Sequence, residues 1–102
     1  MPRLLAKLAE NKYVEWSTIV DAPVTYILTR KQMLQHLDAE YGRSCYDENR
    51  TRLDRTDKNG TSSMIGDTLK SLINCNRAGE GEKCITLEEI LERYDAKNAG
   101  KV

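Results

Sequence analysis

Three cysteines and one histidine are the side chains in this sequence that could supply a nucleophile, a base or a soft metal ligand. The thiols are Cys45, Cys75 and Cys84, and the only imidazole is His36. Catalysis by cysteine needs a thiolate beside a base, whereas His36 falls off the apolar stripe of its predicted helix, as a solvated residue would. Zinc sites use close pairs of cysteines or more than one imidazole. We therefore predict no catalytic residue, no metal site and no cofactor, with free thiols in a reducing compartment.

Two short motifs resemble ligand-binding loops. Residues Asp57–Gly60 match the middle of a calcium-binding EF-hand loop, but the alignment puts Arg55 at the first ligand position and Gly66 at the last, where a bidentate glutamate is needed. Gly60–Ser63, ahead of a predicted helix, could hold an anion on free backbone amides, although helix capping explains the same residues. We therefore expect an interhelical turn and a helix cap here, without calcium or phosphate.

Basic side chains gather on and around a predicted second helix. They are Arg43, Arg50, Arg52, Arg55 and Lys58. Four interleaved acids leave that segment one net positive charge, and the whole chain balances 16 basic against 16 acidic side chains, whereas nucleic-acid binding normally needs a basic excess. A helix-turn-helix from Arg30 to Leu53, joined at Gly42, gives the alternative prediction of a DNA-binding regulator.

Acidic side chains gather towards the C-terminus. They are Glu80, Glu82, Glu88, Glu89, Glu92 and Asp95. Glu88, Glu92 and Asp95 are spaced four and three apart, which places them on one face of a predicted helix. Such a face could enter a basic groove that normally binds phosphates, although a helix cap and the helix dipole explain part of the pattern. We predict this acidic face as the partner-binding surface.

The N-terminal part of the chain favours β-structure. Tyr13 to Val20 is rich in β-branched and aromatic residues, which is typical of a strand. Asn11 suits a hairpin turn because asparagine tolerates a left-handed backbone. Arg3 to Ala9 also has helical propensity, but we favour a β-hairpin. Pro23 should break the second strand because it lacks an amide hydrogen, which leaves Val24 to Leu28 as a candidate third strand.

Capping motifs and apolar spacing predict the helices. Thr29–Gln32 and Thr86–Glu89 are capping boxes, and Gly42 suits the end of the first helix. A second helix from Ser44 should lie mostly on the surface and end before Asp57.

A third helix is predicted from about Ser62 to Cys75, begun by one of residues 61–63. It should be the core helix, with Cys75 buried as a small apolar group. Its apolar stripe is the strongest in the chain and consists of Met64, Ile65, Leu69, Leu72 and Ile73.

A chain of 102 residues is expected to form one domain. We predict a single α+β domain over residues 1–95, in which an N-terminal β-hairpin packs against about four α-helices, and a flexible tail over residues 96–102. No apolar run suits a membrane span or a signal peptide, so we expect a soluble cytoplasmic protein. Exposure of Trp16 or Tyr13 on a thin core would be compatible with a homodimer.

The segments Glu15–Tyr26 and Asp57–Ser63 resemble, in style, those of small accessory proteins encoded by phages and prophages. The resemblance implies a short domain that binds and redirects or blocks host machinery, as inhibitors of CRISPR and other antiphage systems do. It assigns a role to no residue. The resulting prediction is a non-catalytic protein-binding module, acting as a stoichiometric inhibitor of a host nuclease or defence complex, with a host protein or ribonucleoprotein as partner.

Overall fold

The computed structural model describes residues 3–95. Within them, three antiparallel strands are followed by four α-helices, which confirms the predicted α+β class. The predicted tail over residues 96–102 lies outside the described residues. The strands are β1 (Arg3–Ala9), β2 (Lys12–Ser17) and β3 (Ala22–Pro23). The helices are α1 (Arg30–Tyr41), α2 (Tyr46–Asn59), α3 (Leu69–Asn74) and α4 (Leu87–Arg93), with short 3-10 turns at Arg43–Cys45 and Glu80–Glu82.

The predicted hairpin is confirmed, with Asn11 in the left-handed conformation at its turn. The second strand ends at Ser17, earlier than the predicted Val20, because the Ser17 hydroxyl accepts hydrogen bonds from the amides of Ile19 and Val20 in the turn that follows. The predicted break in the second strand thus lies ahead of Pro23, and Pro23 itself belongs to the sheet. It pairs with Trp16 in the short edge strand β3, where an outward-facing position needs no amide hydrogen. Residues 24–28 are not a strand, although Leu28 forms an isolated bridge to Tyr13.

Side chains of the hairpin alternate between two apolar cores, one on each face of the sheet. The first core lies against α3 and α4 and contains Ala6, Leu8, Val14, Trp16, Ala22, Leu72, Ala78 and Ile90. The second lies against α1 and α2 and contains Leu5, Tyr13, Met33, Leu37 and Leu53. Trp16 and Tyr13 are buried, so the suggestion that either supplies an exposed dimer contact is wrong. The hairpin forms the middle layer between two pairs of helices.

The second helix contributes more to the core than its sequence suggests. It runs to Asn59, through the residues predicted as a turn, and ends at Gly60, whose left-handed backbone donates its amide hydrogen to the carbonyl of Thr56. Asn49, Leu53 and Thr56 form its buried face. Spacings of four and three residues place them in one stripe, and the polar members of that stripe explain why it was read as a surface helix.

The third helix is much shorter than predicted. It begins at Leu69, behind a capping box of Thr68 and Ser71, and Met64 and Ile65 lie in the preceding loop. The Ser63 hydroxyl accepts hydrogen bonds from the amides of Ile65 and Asp67. Serine side chains that bond to nearby amides compete with helix formation, so a local turn replaces the first half of the predicted helix.

Residues 60–62 cover the outer edge of β1. The amide of Lys7 donates to the carbonyl of Gly60 at 2.9 Å, and the amide of Ser62 donates to the carbonyl of Leu5 at 2.9 Å. The Ser62 hydroxyl also accepts from the amide of Leu5 at 2.8 Å. The segment therefore satisfies backbone groups that an edge strand would otherwise leave open.

Candidate functional site

A cleft of about 470 Å³ opens between the start of β1, helix α2 and the loop of residues 61–67. We call it the α2 cleft. Its lining combines charged, polar and apolar groups, and includes Arg3, Tyr41, Asn49, Arg52, Arg55 and Ile65. Arg52 lies with its guanidinium 5.9 Å from the centre of the Tyr41 ring, and Arg55 donates to the carbonyl of Ser62 at 2.9 Å. These contacts fix two cations at the wall of the cleft.

The loop beside the α2 cleft presents two adjacent apolar side chains to solvent. Met64 is 82% exposed and Ile65 is 90% exposed. The loop is closed by side chains on either side of this pair: Thr61 donates to the carbonyl of Asp67 at 2.6 Å, and Ser63 donates to the Asp67 carboxylate at 3.0 Å. These hydrogen bonds restrain the loop that carries the apolar pair, and a restrained loop loses less conformational entropy on binding.

Asn49 supplies an unsatisfied polar group in the lining of the α2 cleft. The residue is 3% exposed, and its Nδ2 finds no hydrogen-bond partner among the described residues. Buried polar groups are nearly always paired. Because Nδ2 itself is buried, it is an unsatisfied donor within the packing of α2 and not a contact point on the surface of the cleft.

On the other side of Tyr41, a fully buried carboxylate connects the sheet to α1. Glu15 is 0% exposed and shares the face of the hairpin that carries Leu5 and Tyr13. The Tyr41 hydroxyl donates to Glu15 Oε2 at 2.8 Å, and His36 Nε2 lies 3.2 Å from Glu15 Oε1. Burial raises the pKa of Tyr41, and the hydrogen bond to Glu15 raises it further. The prediction that His36 is a solvated surface residue is therefore wrong.

A second, partly exposed network centres on Asp57 in the last turn of α2. Its carboxylate accepts a hydrogen bond from the Tyr13 hydroxyl and pairs with Arg30 and Lys7. Burial alone would raise the pKa of Asp57, but the Tyr13 hydrogen bond and the charges of Arg30 and Lys7 together lower it. Because these partners come from β1, β2 and α1, the network ties α2 to the hairpin.

The structure distributes the predicted acidic surface over two elements. Glu80 and Glu82 lie on a 3-10 turn, and Glu88, Glu89 and Glu92 on α4, which ends at Arg93, before Asp95. An open groove of about 740 Å³ between them is lined by Glu80, Glu89 and Glu92, but also by Lys83 and Arg93. The Glu89 carboxylate accepts from the amide of Thr86, which confirms the predicted capping box. Glu88 and Glu92 remain exposed on successive turns of α4.

The predicted basic set does not form one surface. Arg43 and Arg50 lie over the ring of Tyr46, whereas Arg52 and Arg55 line the α2 cleft. At about 100° per residue, Arg50 and Arg55 point roughly 140° apart around the helix. A recognition helix that reads DNA needs its contacts on one face. The basic side chains of α2 lie on different faces and do not meet this requirement.

The structure also tests the predictions about the cysteines and the helix start. All three cysteines are free, as predicted, but Cys75 is exposed, not buried. Cys75 directly follows α3, and its thiol donates to the carbonyl of Ser71 in that helix. The expected cap at residues 61–63 begins no helix, and these residues are buried beside β1.

In comparisons with known proteins, no protein-family model, curated protein or solved structure matches the chain. Among residues 3–95, no helix has the length and apolar character needed to cross a membrane.

Proposed function

We propose that this chain is a non-catalytic protein-binding module that associates stoichiometrically through the α2 cleft and the Met64–Ile65 pair. The observation that carries the proposal is the near-complete exposure of two adjacent large apolar side chains beside a cleft. Full burial of such a side chain contributes about 1.5–3 kcal/mol. The pair could therefore supply the energetic centre of an interface, because a few buried anchors usually dominate binding.

The surroundings of the apolar pair suit a protein partner better than a small molecule. Arginine and tyrosine are enriched in protein interfaces, and Arg52 and Tyr41 stand together at the wall of the α2 cleft. An apolar anchor with a polar rim is the usual composition of such a surface.

The partner that we propose is a host protein or ribonucleoprotein complex, and the module would inhibit a nuclease or defence complex by occupying its binding surface. The acidic face of Glu88 and Glu92 would provide a second contact with a basic groove. Both residues are exposed on successive turns of α4. Binding through this face would weaken as salt rises, because exposed charges are screened, whereas binding through the apolar pair would change little.

Quantitative affinity capture from a bacterial host lysate, followed by reconstitution with the purified captured protein, tests the proposal. We expect a saturable 1:1 complex with the unchanged chain. Met64→Glu with Ile65→Glu should weaken it at least tenfold while leaving the melting temperature unchanged, because neither side chain contributes to a core. Val24→Glu is the matched control, since Val24 is an exposed apolar residue near the β3 edge. Equal binding by the double variant and the control would refute the proposed surface.

Two further variants separate the competing surfaces. The first variant changes Glu88, Glu92 and Asp95 to lysine. If this variant loses binding while the Met64–Ile65 variant still binds, the acidic face is the main contact. A salt-dependent gel shift with duplex DNA that is lost when Arg50, Arg52 and Arg55 become alanine would instead favour the DNA-binding regulator.

A further inference from the structure

Three potential metal ligands meet on the α1 side of the sheet. Glu15 comes from β2, while His36 and Glu40 lie four residues apart on α1, a spacing that places both on one helical face. Each residue offers one ligand atom that lies within 4.8 Å of the ligand atoms of the other two. The strand and the helix thus bring together an imidazole nitrogen and two carboxylate oxygens that are far apart in the sequence.

The separations are close to those that a bound ion requires. An ion about 2.1 Å from each ligand in tetrahedral geometry holds its ligand atoms about 3.4 Å apart. His36 Nε2 and Glu15 Oε1 are 3.2 Å apart, so this pair already stands at coordination distance. Glu40 is exposed, and its carboxylate oxygen lies within 4.8 Å of the other two ligand atoms.

The charges of the cluster also favour a cation. Glu15 is fully buried, and Glu40 brings a second carboxylate within 4.8 Å. Arg3 lies 3.7 Å from Glu15 Oε1 and offsets one negative charge, but its side chain is 44% exposed, so solvent screens this pair. Buried charges in proteins are paired or coordinate metals, and a divalent ion would neutralise both carboxylates together.

We propose that Glu15, His36 and Glu40 form a site for a divalent first-row transition-metal ion such as Zn²⁺ or Mn²⁺. One nitrogen and two oxygen ligands suit these ions, whereas Ca²⁺ and Mg²⁺ prefer oxygen alone. Tyr41 is a positioning residue, because its hydrogen bond orients the Glu15 carboxylate, as second partners of metal ligands do. Metal binding at this site is a function separate from partner binding, and it does not depend on the proposed interface. In the sequence, the presence of a single histidine argues against a metal site. In the structure, the buried carboxylate of Glu15 compensates for the missing second imidazole.

Titration of the 102-residue protein with metal salts at neutral pH provides the test. Because His36 is the only histidine, its imidazole NMR signals report ligation at this residue alone. Cys75→Ser with Cys84→Ser removes the exposed thiols, which could bind zinc elsewhere. We expect 1:1 binding of Zn²⁺ by calorimetry with a shift of the His36 ring signals, broadening of the same signals by Mn²⁺, and no response to equimolar Mg²⁺. The absence of binding, or zinc binding that leaves the His36 signals unchanged, would overturn the proposal.

Variants of single residues sharpen the test. Glu40→Gln changes an exposed side chain outside both apolar cores and should weaken zinc binding at least tenfold. Tyr41→Phe should weaken zinc binding about tenfold. Arg3→Ala should strengthen binding severalfold, because it removes a cation that competes for Glu15. Asp47→Asn, at an exposed position on α2, is the matched control and should leave the zinc affinity unchanged. Equal zinc affinity in Glu40→Gln and the unchanged protein would refute the site. None of these measurements involves a partner protein, so their failure leaves the proposed interface untouched.

Discussion

Replacement of Asp57 by asparagine should destabilise the fold at neutral pH and have little effect in acid. The carboxylate accepts from Tyr13 and pairs with Arg30 and Lys7. Asparagine has nearly the same shape and keeps one oxygen for the Tyr13 hydroxyl, so the change removes the charge while preserving the packing. The loss of stability therefore measures the electrostatic contribution of the network.

The size of the effect follows from the exposure of the group. A hydrogen bond to a charged group contributes about 1.5–3 kcal/mol, and an exposed ion pair about 0.2–1 kcal/mol. The Asp57 side chain is 34% exposed, so solvent screening places the expected loss at the lower end of the first range, about 1.5 kcal/mol. For a domain of this size the corresponding fall in melting temperature is about 8 °C.

Urea unfolding of both proteins between pH 7 and pH 3 is the assay. The pKa of Asp57 is lowered in the fold, so its contribution is present above the unfolded value of about 3.9 and is lost as pH falls through the lower folded value. The stability difference should therefore shrink below about pH 4. Asp54→Asn is the control, because Asp54 also pairs with Arg30 but is 66% exposed, and it should cost less than about 0.5 kcal/mol. No difference at pH 7, or one that persists unchanged to pH 3, would refute the reasoning.

Three other substitutions test the packing and the caps. Tyr41→Phe removes a donor from the buried Glu15 and should cost about 1–3 kcal/mol in guanidinium unfolding at pH 7. Because the pKa of Tyr41 is raised in the fold, its contribution to wild-type stability should be lost as pH rises above about 10. Gly79→Ala would place a Cβ 2.6 Å from Ile85 Cγ2 and 2.8 Å from the carbonyl oxygen of Lys83, and should lower stability by about 1–3 kcal/mol, while an unchanged melting curve would contradict that contact. Thr86→Ala removes the cap of α4 and should cost about 1 kcal/mol by thermal unfolding, with Thr86→Ser restoring most of it.

Local sequence signals predicted the elements whose ends are set by their own residues. The caps at Thr29 and Thr86 and the helix end at Gly42 were correct because each is fixed by hydrogen bonds within a few positions. The hairpin turn at Asn11 was correct for the same reason. Gly60 carried a similar signal, since a glycine after a helical run suits the left-handed end of a helix, but the composition of the residues before it suggested a turn.

The third helix was mispredicted because apolar spacing alone cannot locate a helix start. Met64 and Ile65 fit the stripe of Leu69 and Leu72, yet Ser63 captures the amides that a helix would need. The Thr68–Ser71 cap lay inside the predicted helix and marked the true start. The exposure of Met64 and Ile65, and with it the proposed interface, follows from this difference.

The Glu15 cluster depends on tertiary packing that the sequence does not determine. Alternation along β2 places Glu15 on the face opposite Val14 and Trp16 and on the same face as Tyr13, so its burial depends on what covers that second face. The spacing of four residues between His36 and Glu40 places both on one helical face. Only the packing of α1 on the second face of the hairpin brings these residues together, and local pattern does not specify that packing.

Coverage of β1 by residues 60–62 has a consequence for behaviour at high concentration. A second molecule that tried to extend the sheet would first have to displace three hydrogen bonds from one side. On the other side it would meet a strand of only two residues, one of which is Pro23. Neither edge of the sheet leaves a long row of unpaired backbone groups to which a strand of another molecule could bind. We therefore expect concentrated solutions to resist fibril growth as long as the native state persists.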